Sequence, residues 1–399
     1  MPWVTEYHPT TEELNACVQC GLCLPVCPTF RLTGRETASP RGRLQAMSAV
    51  HGGIIEVDQS FAGILDFCLG CRACEPICPG LVPYGRALEG ARAEIVAQVP
   101  GRAGQDRWML GTALGSRPLM RLGGWALTVA QSLGLTRLGP SRYRRVSGGL
   151  RSLRQRGSST VGHVGGPGDA GTVGLLAGCI QDEWFRPVNR VAVDLLELAG
   201  YTVAVPERQT CCGALAAHDG EAGAAETYQV RNRDAFGGFD MVVATAAGCS
   251  AHLADYRWTG HQPETLDITV AVARAIGEGR LPKLKDGSGQ IAIQDPCHLI
   301  HAQRVVAEPR AILAAAGYEV VETDPVAFCC GAAGMYTVHQ PDASTKLGTQ
   351  KANQVRATGV TRVASANPGC EMQLRSHLEP EFDIRHPIEW YHSALTAEG

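Results

Sequence analysis

Short apolar runs alternate with helically spaced apolar positions over the C-terminal half of the chain. TVGLLAGC, which ends at Cys179, is typical of a buried strand, and VNRVAVDLLELAG has the spacing of an amphipathic helix that ends at Gly200. YTVAVP and MVVATAAG are two further candidate strands. Strands that alternate with helices favour a small parallel α/β sheet, in which ligands gather at the C-terminal ends of the strands.

This order of elements occurs twice. QIAIQDPC, PRAILAAAG, YEVVET and TRVASANPGC fill the same roles further along the chain. Three pairs of cysteines keep step with the repeat, at offsets of 118, 118 and 121 residues: Cys179 with Cys297, Cys211 with Cys329, and Cys249 with Cys370. Such offsets indicate a duplicated pair of similar domains.

The N-terminal part carries the signals of helices. Ser39 is a typical N-cap before Pro40, and QSFAGILDF has helical spacing. YGRALEGARAEIVAQ places Leu88, and Ala91 or Arg92, on one helical face. We therefore expect a helical N-terminal domain rather than a small β-hairpin ferredoxin.

These patterns divide the chain into four parts. We expect a helical domain over 1–100, an amphipathic helical segment with a linker over 101–170, and two α/β domains over 171–284 and 285–399. The linker is GSSTVGHVGGPGDAGT, from Gly157 to Thr172, which is rich in Gly and Ser and has no periodic apolar positions.

The amphipathic segment contains an uncharged run from Leu122 to Thr136, closed by Arg121 and Arg137. It is shorter than the roughly 18 apolar residues that a membrane span needs. Its apolar face could lie on a membrane surface or cover a partner subunit. The simpler alternative is an amphipathic helix packed on its own domain.

Composition narrows the function classes. The chain has 399 residues, of which 36 are Lys or Arg and 39 are Asp or Glu, so a formal net charge of -3 argues against a nucleic-acid binder. It has sixteen cysteines, and its first residues do not resemble a secretory signal. We therefore expect a cytoplasmic protein whose cysteines hold metal or carry out redox chemistry rather than form a disulfide scaffold.

Two copies of the motif C-x-x-C-x-x-C-x-x-x-C-P lie in the N-terminal part. Three thiolates at this spacing can hold three corners of a cubane, and in two-cluster ferredoxins the fourth cysteine ligates the other cluster. We assign one [4Fe–4S] cluster to Cys17, Cys20, Cys23 and Cys78, and the second to Cys68, Cys71, Cys74 and Cys27. Zinc is the alternative, although it usually takes two separated C-x-x-C knuckles.

Each α/β domain has four cysteines, two of which are adjacent and followed by glycine. The two sets are Cys179, Cys211, Cys212 and Cys249, and Cys297, Cys329, Cys330 and Cys370. Adjacent thiolates cannot both bind one tetrahedral ion without strain, and the glycine lets the backbone turn beside a bulky cofactor. We expect a further redox or cluster site in each set, with structural thiols or a vicinal disulfide as the alternative.

The chain resembles the iron–sulfur subunit of bacterial glycolate oxidase. The resemblance lies in CVQCGLCLPVCPTF from Cys17, in GRETASPRGRL, in CLGCRACEPICP and in the two CCG domains, and it covers nearly the whole chain. It implies a multidomain α+β and α/β fold, with a helical two-cluster domain followed by two CCG domains. It also implies an oxidoreductase subunit that passes electrons from a separate FAD subunit towards the quinone pool.

Other proteins with the same build leave alternatives open. They are the iron–sulfur subunits of anaerobic glycerol-3-phosphate dehydrogenase, the lactate-utilisation proteins and the heterodisulfide reductase subunits. In that superfamily a CCG pattern that ends in C-x-x-C can bind a non-cubane cluster through five thiolates. Here His252 and Gln373 follow Cys249 and Cys370 at the last position, which weakens the five-thiolate interpretation. His252 would either replace that ligand or cap the next helix.

The remaining chemistry is sparse. His298 and His301 could accept a proton when a quinone is reduced, or could be ordinary hydrogen-bonded side chains. The chain has no G-x-G-x-x-G after a strand and no nucleophile elbow, so we expect FAD only in the partner and no catalytic residue here.

Overall fold

A computed structural model describes residues 3–101, 106–133, 147–151, 157–284, 289–324 and 326–398. Its N-terminal domain is helical. The helices are α1 (Thr11–Asn15), α2 (Pro28–Thr33), α3 (Pro40–His51), α4 (Gln59–Asp66) and α5 (Tyr84–Gln98), with a 3₁₀ turn at Glu36–Ala38.

Local hydrogen bonds explain where these helices begin. The Ser39 hydroxyl accepts from the Gly42 backbone N–H at the start of α3, and the Asp58 carboxylate accepts from the Phe61 N–H at the start of α4. Met47 and Leu65 are fully buried between the helices. The predicted helical domain is therefore confirmed.

A π-helical turn at Met109–Ala113 and helix α6 (Arg117–Ser132) follow. Helix α6 contacts the rest of the protein at Gly124, where an added Cβ would lie 2.2 Å from the Glu183 carboxylate. Its outer face exposes Leu122, Trp125, Val129 and Leu133. Thr136 and Arg137, which end the run noted in the sequence, lie outside the described residues. None of the described helices combines the length and the hydrophobicity of a membrane span.

The first α/β domain is a five-stranded sheet with helices between its strands. Its elements are β1 (Val164–Gly165), β2 (Thr172–Leu176), α7 (Ile180–Trp184), α8 (Arg186–Leu198), β3 (Thr202–Ala204), α9 (Ala214–Asp219), α10 (Ala222–Phe236), β4 (Met241–Ala244), α11 (Ala247–Ala254), β5 (Glu264–Asp267) and α12 (Ile268–Gly277). The strand order is β1-β3-β2-β4-β5, and every pair except β1 with β3 is parallel.

The second α/β domain repeats this plan. Its elements are β6 (Gly289–Gln294), a π-helical turn (His298–Ala302), α13 (Ala307–Ala315), β7 (Tyr318–Glu322), α14 (Tyr336–His339), α15 (Pro341–Ala357), β8 (Arg362–Ser365), α16 (Pro368–Arg375), β9 (Asp383–Arg385) and α17 (Pro387–Glu398). All of its strand pairs are parallel, in the order β7-β6-β8-β9. This is the order β3-β2-β4-β5 of the first domain, so the predicted duplication extends to the topology.

The Gly/Ser-rich segment differs from the flexible linker that we expected. Val164 and Gly165 form β1, which pairs antiparallel with Ala204 and Val203 on the free edge of β3. A β-branched valine between glycine turns can use the unpaired backbone groups of that edge. Part of the segment therefore belongs to the first sheet.

The two repeats share a core and meet at their cysteine-bearing loops. Leu195 and Ile276 of the first repeat are buried in one apolar cluster with Ile312 of the second. In the loops after β4 and β8, the Ala247 N–H donates to the Ala366 carbonyl at 3.2 Å. The ends of the two sheets that carry Cys249 and Cys370 therefore lie together.

Candidate functional site

A cavity in the N-terminal domain is lined by cysteines of both ferredoxin motifs. The cysteines that line it are Cys17, Cys20, Cys23, Cys74 and Cys78. Cys20 is exposed, whereas Cys17, Cys23 and Cys78 are half-buried. The four residues that we assigned to the first cluster thus surround one cavity that opens at the surface.

The four residues that we assigned to the second cluster are all buried. They are Cys27, Cys68, Cys71 and Cys74. Burial, followed by the neighbouring thiols of Cys71, Cys68 and Cys27, raises the pKa of Cys74 well above its usual range. The Cys27 thiol is thus near enough to influence the pKa values of Cys71 and Cys74, and crossed ligation itself stays a prediction.

Two buried cations and a phenol adjoin this second group, and the sequence analysis did not single them out as functional. Arg92 donates from Nη2 to the Cys68 carbonyl at 2.7 Å, and Arg43 donates from Nε to the Ile64 carbonyl at 3.0 Å. Burial opposes ionisation of Cys68, but Arg43 and Arg92 outweigh it and lower the pKa of that thiol. The Tyr84 hydroxyl lies 3.6 Å from Cys68 Sγ. The sequence signal that could have identified one of them is Arg92, a charged residue on the apolar face of α5.

In the first repeat, four sulfurs converge from the turn before α7, the turn before α9 and helix α11. Cys179 Sγ lies 3.3 Å from Cys211 Sγ, and Cys212 Sγ lies 3.1 Å from Cys249 Sγ. Contact with Cys211, followed by burial, raises the pKa of Cys179 well above its usual range. Gly213 has φ 91°, a conformation that favours glycine and turns the backbone away after the cysteine pair.

The second repeat brings its four cysteines together in the same way. Cys297 Sγ lies 3.9 Å from Cys329 Sγ, and Cys330 Sγ lies 3.2 Å from Cys370 Sγ. Gly331 has φ 86°, matching the turn in the first repeat. Both sets are compact groups of sulfur atoms, and all sixteen thiols of the chain are free.

The residues at the altered last position occupy equivalent places. Nε2 of His252 would lie 3.4 Å from a Cβ on Gly213, and Nε2 of Gln373 would lie 3.5 Å from a Cβ on Gly331. Gln373 donates to the Ser344 carbonyl at 2.9 Å. Burial lowers the pKa of His252 to about 4, so this ring is neutral at pH 7. His252 sits inside α11 beside the thiol turn, not at the start of a helix.

The other histidines lie at different distances from the thiols. Nδ1 of His298 is 3.6 Å from Cys297 Sγ, whereas Nε2 of His301 is 3.2 Å from the Ala327 carbonyl. The ring of His218 lies near that of His298, with centroids 5.2 Å apart and ring planes tilted by 32°. A role for His298 or His301 in quinone reduction stays a prediction.

The buried N-terminal cysteines adjoin the second repeat. Burial, followed by the nearby thiol of Cys297, raises the pKa of Cys71. Leu69 and Cys71 pack in one buried cluster with Cys329 and Tyr336. The second ferredoxin group and the second CCG group therefore pack in one buried cluster.

The sulfur groups fit iron–sulfur clusters chemically. Thiolate sulfur is the donor that such clusters take, and each N-terminal group offers four cysteines at the spacing of a ferredoxin motif. Buried thiols with raised pKa values are unfavourable as free anions, so a cationic group bound between them would relieve that cost. Each CCG set also offers four sulfurs, which suffices for one cluster.

Comparisons with known proteins agree with this geometry. The 4Fe-4S dicluster domain family matches residues 13–82, and the CCG cysteine-rich domain family matches residues 173–254 and 291–375. The chain is 33% identical to a probable glycolate oxidase iron-sulfur subunit of Bacillus subtilis, over 92% of this chain and 90% of that protein. It is 27% identical to the glycolate oxidase iron-sulfur subunit of Escherichia coli, over 96% of this chain and 95% of that protein. One subunit of the fumarate reductase (CoM/CoB) of Methanothermobacter marburgensis is 26% identical, over 94% of this chain and 70% of that protein.

Proposed function

Because this chain belongs to the family of glycolate oxidase iron–sulfur subunits, we propose that it is the electron-transfer subunit of a flavin-linked 2-hydroxyacid dehydrogenase. Glycolate is the proposed substrate, oxidised on a separate FAD subunit. The electrons then pass through this chain towards quinone.

Two groups of cysteines would hold the resident cofactors. Cys17, Cys20, Cys23 and Cys78 would hold one [4Fe–4S] cluster, and Cys27, Cys68, Cys71 and Cys74 the other. When bound, the clusters supply one-electron carriers. Arg43 and Arg92 add buried positive charge beside the second group, which favours thiolate over thiol at Cys68.

The observation that carries the proposal is the gradient of burial from one sulfur group to the next. The first group contains the exposed Cys20, and the second is buried. Cys71 of the second group shares a buried cluster with Cys329 of the second repeat, and Cys297 packs against that cluster. The first cysteine group lies at the surface, the second is buried, and the cysteines of the second repeat come next. This order suits an electron path that begins at a partner subunit and continues inward.

The partner surface is proposed around the first group. Val18, Leu22 and Leu81 are exposed apolar residues near its cysteines, and Leu81 is 78% exposed at φ 49°. An exposed leucine held in the left-handed region costs free energy without a packing gain in this chain alone. Such a rim suits the FAD subunit, because electron transfer requires close approach of the two cofactors.

Association with the inner face of the cell membrane is the corresponding proposal for the acceptor side. The outer face of α6 exposes Leu122, Trp125 and Leu133, and Arg121 lies on the same helix. Aromatic and basic residues together suit the interfacial region of a bilayer. This would keep a cytoplasmic subunit near its quinone.

A thiol-linked reductase is a second candidate, favoured by the similarity to the fumarate reductase (CoM/CoB) of the methanogen. His252 and Gln373 at the last ligand positions argue against it, because a five-thiolate site lacks its fifth sulfur in both repeats. Lactate or glycerol 3-phosphate would be alternative substrates of the partner, and no residue of this chain contacts the substrate in the proposed scheme.

Metal analysis of the anaerobically purified chain tests the cofactor part of the proposal. Two [4Fe–4S] clusters in the N-terminal domain alone require about eight iron atoms and about eight acid-labile sulfide ions per chain. Dithionite should then produce low-temperature EPR signals of reduced clusters. Zinc in place of iron, with no such signal, would reject the assignment.

A further inference from the structure

A cavity lies at the boundary between the N-terminal domain and the second CCG domain, beside the sulfur groups of both. It measures about 120 Å³, and its walls include Pro28, next to Cys27, and Cys329 itself. An enclosed apolar cavity of about 150 Å³ accepts a benzene molecule. The present cavity is somewhat smaller but open on one side, so a six-membered ring can enter it with part of the ring outside.

A smaller cavity lies beside the cysteines of the first repeat. The cavity beside Cys179 and Cys211 measures about 20 Å³, and Gly115 and Arg117 form part of its wall. That volume is enough for a water molecule. Of these two cavities, only the one beside Cys329 has a volume that approaches that of a ring.

One side of the larger cavity is aromatic and cationic. The Arg31 guanidinium carbon lies 4.1 Å from the centre of the Phe328 ring. Among the residues that the structure describes, no carboxylate forms a salt bridge with Arg31, so its N–H groups can donate to a ligand. Lys351 is also part of the wall, 2% exposed, with Nζ 2.7 Å from the Asp324 carboxylate.

The other side presents amide side chains. Gln350 and Gln354 lie one turn apart on α15 and both line the cavity. The Oε1 atom of Gln354 is buried and accepts no hydrogen bond from the described residues. A buried acceptor without a donor is costly, so this atom calls for a ligand or water that donates to it.

We propose that this cavity binds the ring of the quinone acceptor, an inference that rests on the proposed function. The ring would lie between Phe328 and the amides of α15. Gln354 can donate from its amide nitrogen to a quinone carbonyl and accept at Oε1 from a quinol hydroxyl. Arg31 donates to the second carbonyl.

The reaction balances as a two-electron reduction. Each of the two quinone C=O groups becomes C–OH and takes up one electron and one proton, so the ring takes up two electrons and two protons in all. The electrons come from the reduced flavin of the proposed partner, which returns to its oxidised form. The protons come from water at the open side of the cavity.

Binding of ubiquinone-1 to the anaerobically purified full-length chain, measured by titration calorimetry, tests the site without turnover. Gln354→Leu should weaken binding about tenfold, a loss that corresponds to about 1.4 kcal/mol. Gln350→Trp should abolish binding by filling the cavity. Asn353→Leu is the matched control, because Asn353 is an exposed amide on the same helix that does not line the cavity. Its affinity should equal that of the unaltered chain.

Equal affinities in all four proteins, or no binding to the unaltered chain, would overturn the site. Unchanged EPR spectra of the reduced clusters show that each variant is folded. Reduction of ferricyanide by glycolate, catalysed by the complex of this chain with its flavoprotein, distinguishes a failure of the quinone site from a failure of the proposed function. If ferricyanide is reduced but ubiquinone-1 does not bind in the cavity, only the proposed quinone site is wrong. If ferricyanide is not reduced either, the proposed function fails as well.

Discussion

Individual side chains around the N-terminal cysteines set the properties of two different sulfur groups. The exposed Cys20 belongs to the first, whereas every cysteine of the second is buried and Arg43 and Arg92 adjoin it. A buried negative group next to two fixed cations gains from them in proportion to its charge. Removing a ligand or a cation therefore has a distinct, group-specific consequence.

Cys27→Ser and Cys78→Ser test the crossed ligation. Since the Cys27 thiol influences the pKa values of Cys71 and Cys74, its loss should perturb the second cluster and leave the first intact. Cys78→Ser should do the reverse. EPR of the two reduced variants, with iron analysis, distinguishes the clusters. If each substitution affects only the cluster of its own sequence motif, the crossed assignment is wrong.

Arg92→Gln should make the reduction potential of the second cluster more negative by ~60 mV, the equivalent of a tenfold change for a one-electron couple. The physical reason is that reduction adds negative charge that Arg92 stabilises. Arg86→Gln is the control on the same helix, because Arg86 is exposed and pairs with Glu13. A redox titration followed by EPR measures both. An equal shift in the two variants would show that proximity to the cluster is irrelevant.

At the scale of elements, close backbone contacts hold the N-terminal helices together. A Cβ on Gly90 of α5 would lie 2.2 Å from the Tyr7 carbonyl, whereas a Cβ on Gly63 of α4 would meet nothing within 4 Å. Helix α5 can therefore pack against the N-terminal segment only with glycine at that position. The two glycines look alike in the sequence and differ only in what lies opposite them.

Gly90→Ala should destabilise the protein by about 1–3 kcal/mol, because the helix must move away from the backbone it contacts. Gly63→Ala is the matched control and should be neutral or stabilising by up to about 1 kcal/mol, since alanine favours an exposed helix. Anaerobic urea unfolding of the cluster-loaded chain measures the difference. A Gly90→Ala variant as stable as its control would mean that this contact does not restrain the helix.

Much of this element-level structure follows from sequence periodicity, and some does not. The duplicated strand and helix order and the helix that starts at Pro40 could be predicted, because apolar spacing and capping are local signals. The strand Val164–Gly165 could not, because its pairing depends on the distant edge of β3. The burial of Arg43 and Arg92 likewise depends on which loops surround them, and spacing carries no information on that.

At the scale of the whole molecule, the second CCG domain packs against the N-terminal domain. Cys71 and Cys329 share a buried cluster, and Arg31 stacks on Phe328 across the same boundary. The cysteine spacing predicted both sulfur groups, but not that Cys329 of the second repeat shares a buried cluster with Cys71, while Asp255 of the first repeat pairs with Arg72. This arrangement arises from tertiary packing. It gives the two repeats different surroundings although their topology is the same.

The central claim, that this chain carries electrons from a flavoprotein partner and does not itself oxidise the substrate, is tested most directly by one measurement. Oxidised chain is mixed anaerobically with glycolate, with and without the purified FAD subunit, and cluster reduction is followed by EPR. The G-x-G-x-x-G run from Gly166 to Gly171, which the sequence analysis did not find, follows β1 but leads into β2 and opens no helix, so it is not a dinucleotide-binding fingerprint. We therefore predict reduction only when the FAD subunit is present. Reduction of the clusters by glycolate in the chain alone, or no reduction with the FAD subunit present, would contradict the account.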